Sequence, residues 1–477
     1  MAVCAFSKVS LKDTFYAYWP FGTELYARLL YVATDNTEVL LAAVDTNSTF
    51  RKETVVFRER VAEKTGIPAD NIWYHELQIH AAPNADSLFG EAMEKIADRV
   101  ADEVLRMKEA AVPFTCEVAT KYAGQKYTMN REQYVAGLGG VTVWAGLKFD
   151  ENGTAYSSDP SRMLLRGYQP DLPVFDNPIY FDNPVDPLAY LFVFRNEQGE
   201  VIGTMSRFAA HPDVSVLFES HGVSDYKFDF DWPGYLCEEM EAHFGAPAMY
   251  INGPCANLAT KKGFVGYDTY EASTAESKRI GLEFAAMLIE RYDEKHVPLK
   301  NPDNLKAARF VFELPIKEDF PTSVEELRGL YNHRQEALDA LQNAIDEDAP
   351  AYQVKQLIDD CYRRIYMHEY ADHTCAFSDE ELQSRKNKVD VTALQLGDYL
   401  FIGVPGESLV EMTSFLRETF TGAKTIPVDQ VNGYYSYMAT PTSMTLGGYT
   451  YWYSWVRRDG IPQLKNNIIE AMEGFLE

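Results

Sequence analysis

Two histidines stand where an apolar run meets proline: His80 in Gln78-Ile79-His80-Ala81-Ala82-Pro83 and His211 in Arg207-Phe208-Ala209-Ala210-His211-Pro212. A strand that stops there puts its imidazole at the carboxyl edge of a sheet, where open α/β sheets build their sites. Imidazole is a general acid, a general base and a metal ligand; a hydrogen-bonded structural histidine also accounts for either residue taken alone. A third strand end, Gly403-Val404-Pro405-Gly406-Glu407, delivers a carboxylate to the start of an amphipathic helix carrying Leu409, Val410, Met412, Leu416 and Phe420. There it serves as a helix cap or as a metal ligand. Tyr434, Tyr435 and Tyr437, followed by Tyr449, Tyr451 and Tyr453, offer an apolar wall or stacking platforms. Asp229 and Asp231 share a strand face two residues apart, as a site for a hard cation or as a solvated strand end. The chain has no HExxH, GxSxG, Walker or EF-hand signature, and Gly137-Leu138-Gly139-Gly140 lacks the spacing of a dinucleotide fingerprint.

The elements that must position these residues are spread over the entire chain. Apolar runs at 26–33, 38–45, 189–195, 201–210, 247–251, 308–314, 389–396 and 399–404 read as strands. Helical spacing occupies 85–110, with Asn84 and Asp86 near its N-cap, and 232–244, 266–292, 407–420 and 462–476. Interspersed strands and helices predict one α/β domain over residues 1–477, with mixed β-sheets flanked by helices. Residues 148–188, crowded with Asp, Asn, Pro, Gly and Tyr, predict a long ordered loop. Residues 322–370 predict a solvated helical hairpin, opened by Ser323 with Glu326 three residues on and interrupted at Pro350. No internal repeat is visible.

Acidic residues number 71 against 44 basic ones, a net charge of -27, which repels phosphate backbones and anionic lipid heads. Nucleic acid is therefore excluded as a partner, and a small-molecule substrate is expected. No apolar run reaches the roughly 20 residues that span a bilayer, so stable membrane insertion is not expected. Cys4, Cys116, Cys237, Cys255, Cys361 and Cys375 are widely spaced and read as free thiols. With no basic-then-apolar leader in MAVCAFSKVSLKDTF, a cytoplasmic location is the expectation.

Taken in order, several short pieces resemble the neutral (non-lysosomal) ceramidase family. They are the Glu24–Val32 segment, Asn71–Pro83, Met129-Asn130-Arg131, the Ala-Ala-His-Pro of His211, Asp231-Trp232-Pro233-Gly234, Asn252-Gly253, Gly403–Glu407 and Asn432–Tyr437. The resemblance covers about residues 5–455 and implies the short bacterial form, without an immunoglobulin-like C-terminal domain. It implies a hydrolase that cleaves an amide with a zinc-activated water. His211, Glu407 and Tyr437 fall on zinc ligands, His80 and Tyr449 on groups that stabilise the oxyanion, and Arg131 on an arginine of the pocket, with Asn252 beside it. Two positions depart from the pattern: Gln78 replaces the first zinc histidine, and Ala259 replaces a serine placed against the substrate. A neutral amide is a poorer zinc ligand than imidazole, and His75, three residues before Gln78, points to the opposite strand face. The expected function is thus hydrolysis of an amide or related bond, the substrate not being ceramide; the rivals are a metal-free pseudoenzyme and a glycan-binding protein that keep the pocket.

Overall fold

The computed structural model describes residues 1–477 except 16–19, 86–90, 143–146, 150–154, 158–177, 180, 182, 216–226, 261–268 and 369–376. Its organising feature is a unit that occurs three times. In the first, Val3–Ser10, Tyr26–Ala33 and Glu38–Val44 form an antiparallel meander, the helix Arg51–Thr65 crosses over, and Ile72–Glu76 adds parallel to the third strand. In the second, Thr115–Tyr122, Leu188–Arg195 and Val201–Phe208 are followed by the helix Asp231–Phe244 and the parallel strand Ala248–Asn252. In the third, Leu305–Pro315, Lys386–Leu396 and Tyr399–Gly403 are followed by the helix Val410–Thr419 and the parallel strand Lys424–Val428. A longer helix closes each unit: Ala92–Ala110, Tyr270–Glu294 and Gly460–Leu476. In the first two units a Val-Pro pair, Val112–Pro113 and Val297–Pro298, then returns to the first strand.

The expectation of no internal repeat therefore fails at the level of structure, because the insertions differ in length and the polar surface of each unit is its own. Mixed sheets flanked by helices in one domain are as expected. The chemistry gathers where the parallel pairs end, since the carboxyl edges of all three meet. Asn432 N–H donates to Tyr74 O, His80 N–H to Pro212 O, and Asp429 N–H to Asn252 O, each joining one unit to another.

The excursions between first and second strands of the second and third units pack on each other. The 322–370 segment contains the helices Val324–Gly329, Arg334–Asp346 and Ala351–Tyr366, with Ser323 capping through Glu326 N–H and Pro350 just ahead of the last helix. It is not a solvated projection: Leu338, Leu341, Val354, Ile358 and Cys361 pack with Met129, Val135, Leu138, Val141 and Ala259. Burying such a face removes apolar area from water at about 25 cal/mol per Å², which is why the hairpin lies down. The 148–188 stretch is not all loop, since Leu147–Phe149, Ala155–Ser157 and Pro178–Ile179 form a small antiparallel sheet; the remainder of it up to 177 lies outside the described residues. The 85–110 helix begins only at Ala92; Asn84 instead accepts from Ser48 Oγ, and Asp86 lies outside the described residues. Cys4, Cys116, Cys237, Cys255 and Cys361 are buried free thiols, and Cys375 lies outside the described residues. Among the described residues no helix is long and apolar enough to cross a membrane.

Candidate active site

His211 is placed by backbone pairing past the end of Val201–Phe208. Its N–H donates to Leu258 O at 3.0 Å, and it forms an isolated parallel bridge with Ala259. Its Nδ1 faces two carbonyls, Cys255 O at 2.7 Å and Leu258 O at 3.1 Å. Only an N–H satisfies them, so the tautomer is fixed and Nε2 is turned towards Glu407 and Arg131.

Of the two readings left open for Glu407, the helix cap fails, because the helix starts at Val410 and not at 407. Glu407–Ser408 instead pairs in parallel with Tyr437–Met438, so backbone hydrogen bonds hold Glu407 and Tyr437 abreast. Glu407 Oε2 lies 3.3 Å from His211 Nε2, and Oε1 accepts from Tyr434 Oη at 2.9 Å. Burial alone would raise the Glu407 carboxyl, but the hydrogen bond and charge of His211, with Arg131 and the Gln78 amide, hold it down at about 2.

Arg131 arrives from the second unit's excursion. Thr128–Asn130 is zipped to Leu258–Thr260, and Arg131 N–H continues the pairing to Asn257 O at 2.8 Å. Its Nη2 then lies 2.7 Å from Tyr437 Oη, 3.4 Å from His211 Nε2 and 3.9 Å from Glu407 Oε2. His211, Glu407, Tyr437 and Arg131, from segments far apart in sequence, are all buried and all meet at one point.

Of the remaining expected residues, His80 is partly exposed, its ring centre 5.6 Å from that of His211. Removal of water from the ring, reinforced by His211 and Arg131, lowers it to about 3, so it is neutral, and its Nε2 has no protein partner. Gln78 is buried at φ 54, and its Oε1 has no partner. That left-handed kink lets Gln78 and His80 leave the sheet edge together. Gln430 repeats it at φ 48, at the corresponding point of the third unit. Tyr449 packs edge-on against Tyr437 at 5.3 Å and lies 4.6 Å from Tyr453, so these rings build a wall. Ala259, bridged to His211 through the backbone, is fully buried among Met129 and the hairpin helices. Asn252 is structural: its amide brackets Ala210 and its N–H donates to His75 Nε2 at 2.9 Å, which commits His75 away from the pocket. Asp229 and Asp231 are neither a cation site nor a solvated strand end. They are buried, and hydroxyls and backbone N–H groups satisfy them, among them Ser215, Tyr235, Tyr270 and Ser277.

Sequence reasoning missed three charged neighbours. Glu132, buried beside Arg131, accepts from Asn257 Nδ2 at 3.4 Å, and burial pushes its carboxyl up to about 7. Asp213 accepts from Thr260 Oγ1 and faces His211 and Arg131. Glu76 is buried beside Thr49, and burial, aided by Glu407 and Asp429 and only partly opposed by hydrogen bonds from Thr49, pushes it well above the carboxylate range. A charge inside an apolar strand end was the available signal for each.

The donor set fits a cation in two respects. His211 Nε2 and Glu407 Oε2 are separated by 3.3 Å, which matches the edge of a tetrahedron with bonds of about 2.0–2.1 Å. Gln78 Oε1 is a buried acceptor with no hydrogen-bond donor. Among the described residues no group of three His, Cys, Asp or Glu side chains could hold a metal, so a tyrosine or an amide must complete the set.

The fold is that of a neutral ceramidase. The structure of neutral ceramidase from Pseudomonas aeruginosa superposes with a TM-score of 0.64 at 12% identity, covering 98% of this chain and 73% of that one. That of a ceramidase complexed with C2 gives 0.64 and 12%, covering 98% and 74%. No protein-family model and no curated protein matches the chain.

Proposed function

We propose that this protein is a hydrolase of an amide or related bond in a small, soluble molecule, with a metal held by His211, Glu407 and Tyr437. The observation that carries the reading is the meeting of those three groups with Arg131, all within 3.9 Å of one guanidinium nitrogen. A bound zinc ion would supply an acidified water, lowered to a pKa of about 7. The chain's own residues do the rest. The carbonyls behind Nδ1 orient His211, and Tyr434 fixes Glu407. Arg131 and the neutral His80 offer N–H donors to an oxygen that gains charge as the acyl group is attacked, and such donors are typically worth about 10²–10³ in rate.

Ceramide is not the substrate in this reading. Gln78 withholds the basicity of an imidazole, Ala259 presents no hydroxyl, and the net charge of -27 disfavours approach to an anionic bilayer. The same two residues favour a second reading, a metal-free protein that binds a ligand in the retained pocket. The test is acyl release from short-chain and long-chain ceramides and from small soluble N-acyl compounds with added zinc, comparing wild type with the Gln78→His, Ala259→Ser double variant. Soluble amides should turn over, and ceramides only with the double variant. Robust ceramide hydrolysis by the wild type overturns the substrate assignment, and hydrolysis of nothing by either protein overturns the enzyme reading in favour of the binder.

A further inference from the structure

The point where these buried side chains meet already contains a positive charge. One nitrogen, Arg131 Nη2, is within 2.7 Å of Tyr437 Oη, 3.4 Å of His211 Nε2 and 3.9 Å of Glu407 Oε2. The side chain is built in, being 1% exposed, with Nε donating to Ala256 O at 2.9 Å and the backbone N–H to Asn257 O at 2.8 Å. A guanidinium has five N–H donors and no lone pair, so it can satisfy these acceptors but can never join a coordination sphere. An ion bonded to Tyr437 Oη at about 2 Å would lie at most about 4.7 Å from Nη2 in its present position. In a buried pocket, a divalent ion and a guanidinium at that distance repel strongly, with no water between them to screen the charges. Glu407 is the carboxylate shared by Arg131 and His211. Alone it cannot neutralise two further positive charges, and burial pushes up the carboxyl of Asp213, the other acid that faces His211 and Arg131.

We propose that Arg131 is a resident counter-cation that stands in for the metal: it holds His211, Glu407 and Tyr437 together in the metal-free protein, and a divalent transition metal enters only as the guanidinium withdraws. The proposal rests on the metal-dependent reading of the site and adds that Arg131 and metal are competing occupants. Two consequences separate it from a purely structural role for the arginine. Removing Arg131 strengthens metal binding instead of weakening it, and the stability lost on removing it is returned by metal.

The test is zinc titration of wild type, Arg131→Met and Arg131→Lys, following affinity by calorimetry and unfolding temperature with and without zinc. Arg131→Met should bind zinc at least about tenfold more tightly than wild type, within the usual range for coupled ligands. Its metal-free form should melt below wild type, and zinc should restore the loss. Arg131→Lys, which keeps one charge without the fork, should fall between and covers the case in which the methionine variant does not fold. Zinc binding by wild type as tight as by the folded variants would overturn the competition while leaving the metal-dependent reading intact. So would a zinc-soaked wild-type crystal with metal on His211 and Glu407 and Nη2 still within about 3 Å of Tyr437 Oη. Absence of zinc binding in all three proteins would overturn the metal-dependent reading itself, and this proposal with it.

Discussion

Replacing Glu132 with glutamine should stabilise the protein, and the gain should depend on pH. The carboxyl is buried beside Arg131, and Asn257 Nδ2 approaches Oε2 at 3.4 Å. Burial, only partly opposed by Ser443, Asn257 and Arg131, moves it from 4.5 to about 7. Below 4.5 the folded and unfolded chains both carry the proton, and the group has no effect on stability. Between 4.5 and 7 the unfolded chain releases the proton while the folded chain keeps it, so stability falls by about 1.4 kcal/mol per pH unit. Above 7 both are ionised and the loss levels off at about 3 kcal/mol. Glutamine has no proton to release and keeps the donor and acceptor geometry. Urea midpoints of both proteins from about pH 4.5 to about pH 8 should therefore diverge by about 3 kcal/mol in favour of Glu132→Gln. Parallel profiles across that range would show that Glu132 titrates normally and that its burial has been misjudged.

Three further substitutions probe the supports of the site. Gly253→Ala places a Cβ 1.8 Å from Arg207 Nη2, a buried guanidinium bonded to Pro427 O, and should cost about 1–3 kcal/mol in urea unfolding; a neutral result would mean that the Arg207 packing is loose. Leu341→Ala empties the hairpin's buried face and should cost about 2–5 kcal/mol. Because Met129 and Ala259 share that cluster, turnover should fall with it, and unchanged kcat/KM would detach the hairpin from the pocket. Tyr434→Phe removes the donor to Glu407 Oε1 and should cost about 1.5–3 kcal/mol by thermal unfolding of metal-free protein, as expected for a hydrogen bond to a charged group; an unshifted melting curve would refute it.

The strands that the sequence reveals are those buried on both faces, such as Tyr26–Ala33 and Tyr399–Gly403, whose apolar runs are continuous. Val3–Ser10 and Thr115–Tyr122 escape because charged and hydroxyl residues alternate into them. The helix Arg51–Thr65 escapes for a different reason. Its inward face carries Glu53 and Arg58, the latter paired with Asp390 at 3.4 Å, so the apolar period that would announce it is broken by a buried ion pair. In the site, His211 and Glu407 were visible as strand ends. The local pattern shows Tyr437 only as one ring of a tyrosine cluster and does not mark Arg131 at all; the family resemblance alone gives either a role in the site. Their positions follow from a two-residue ladder and from an excursion whose course depends on a neighbouring unit. Gln78 and His80 defeat the period-two rule because a positive φ intervenes.

The triple occurrence of one strand and helix order has a consequence for how the pocket comes into being. Gln78 and His80 leave the first unit, His211 and Arg131 the second, Glu407 and Tyr437 the third, so no unit owns the chemistry. The arrangement is that of a heterotrimer with its active centre on the common seam, except that the three parts share one polypeptide and meet at the high effective concentration that tethering provides. Loosening a seam contact, such as Asn432 N–H to Tyr74 O, should dismantle the centre while every sheet remains intact. A chain divided between units, within 300–304, would be expected to lose its centre on dilution and to regain it when the two fragments are mixed.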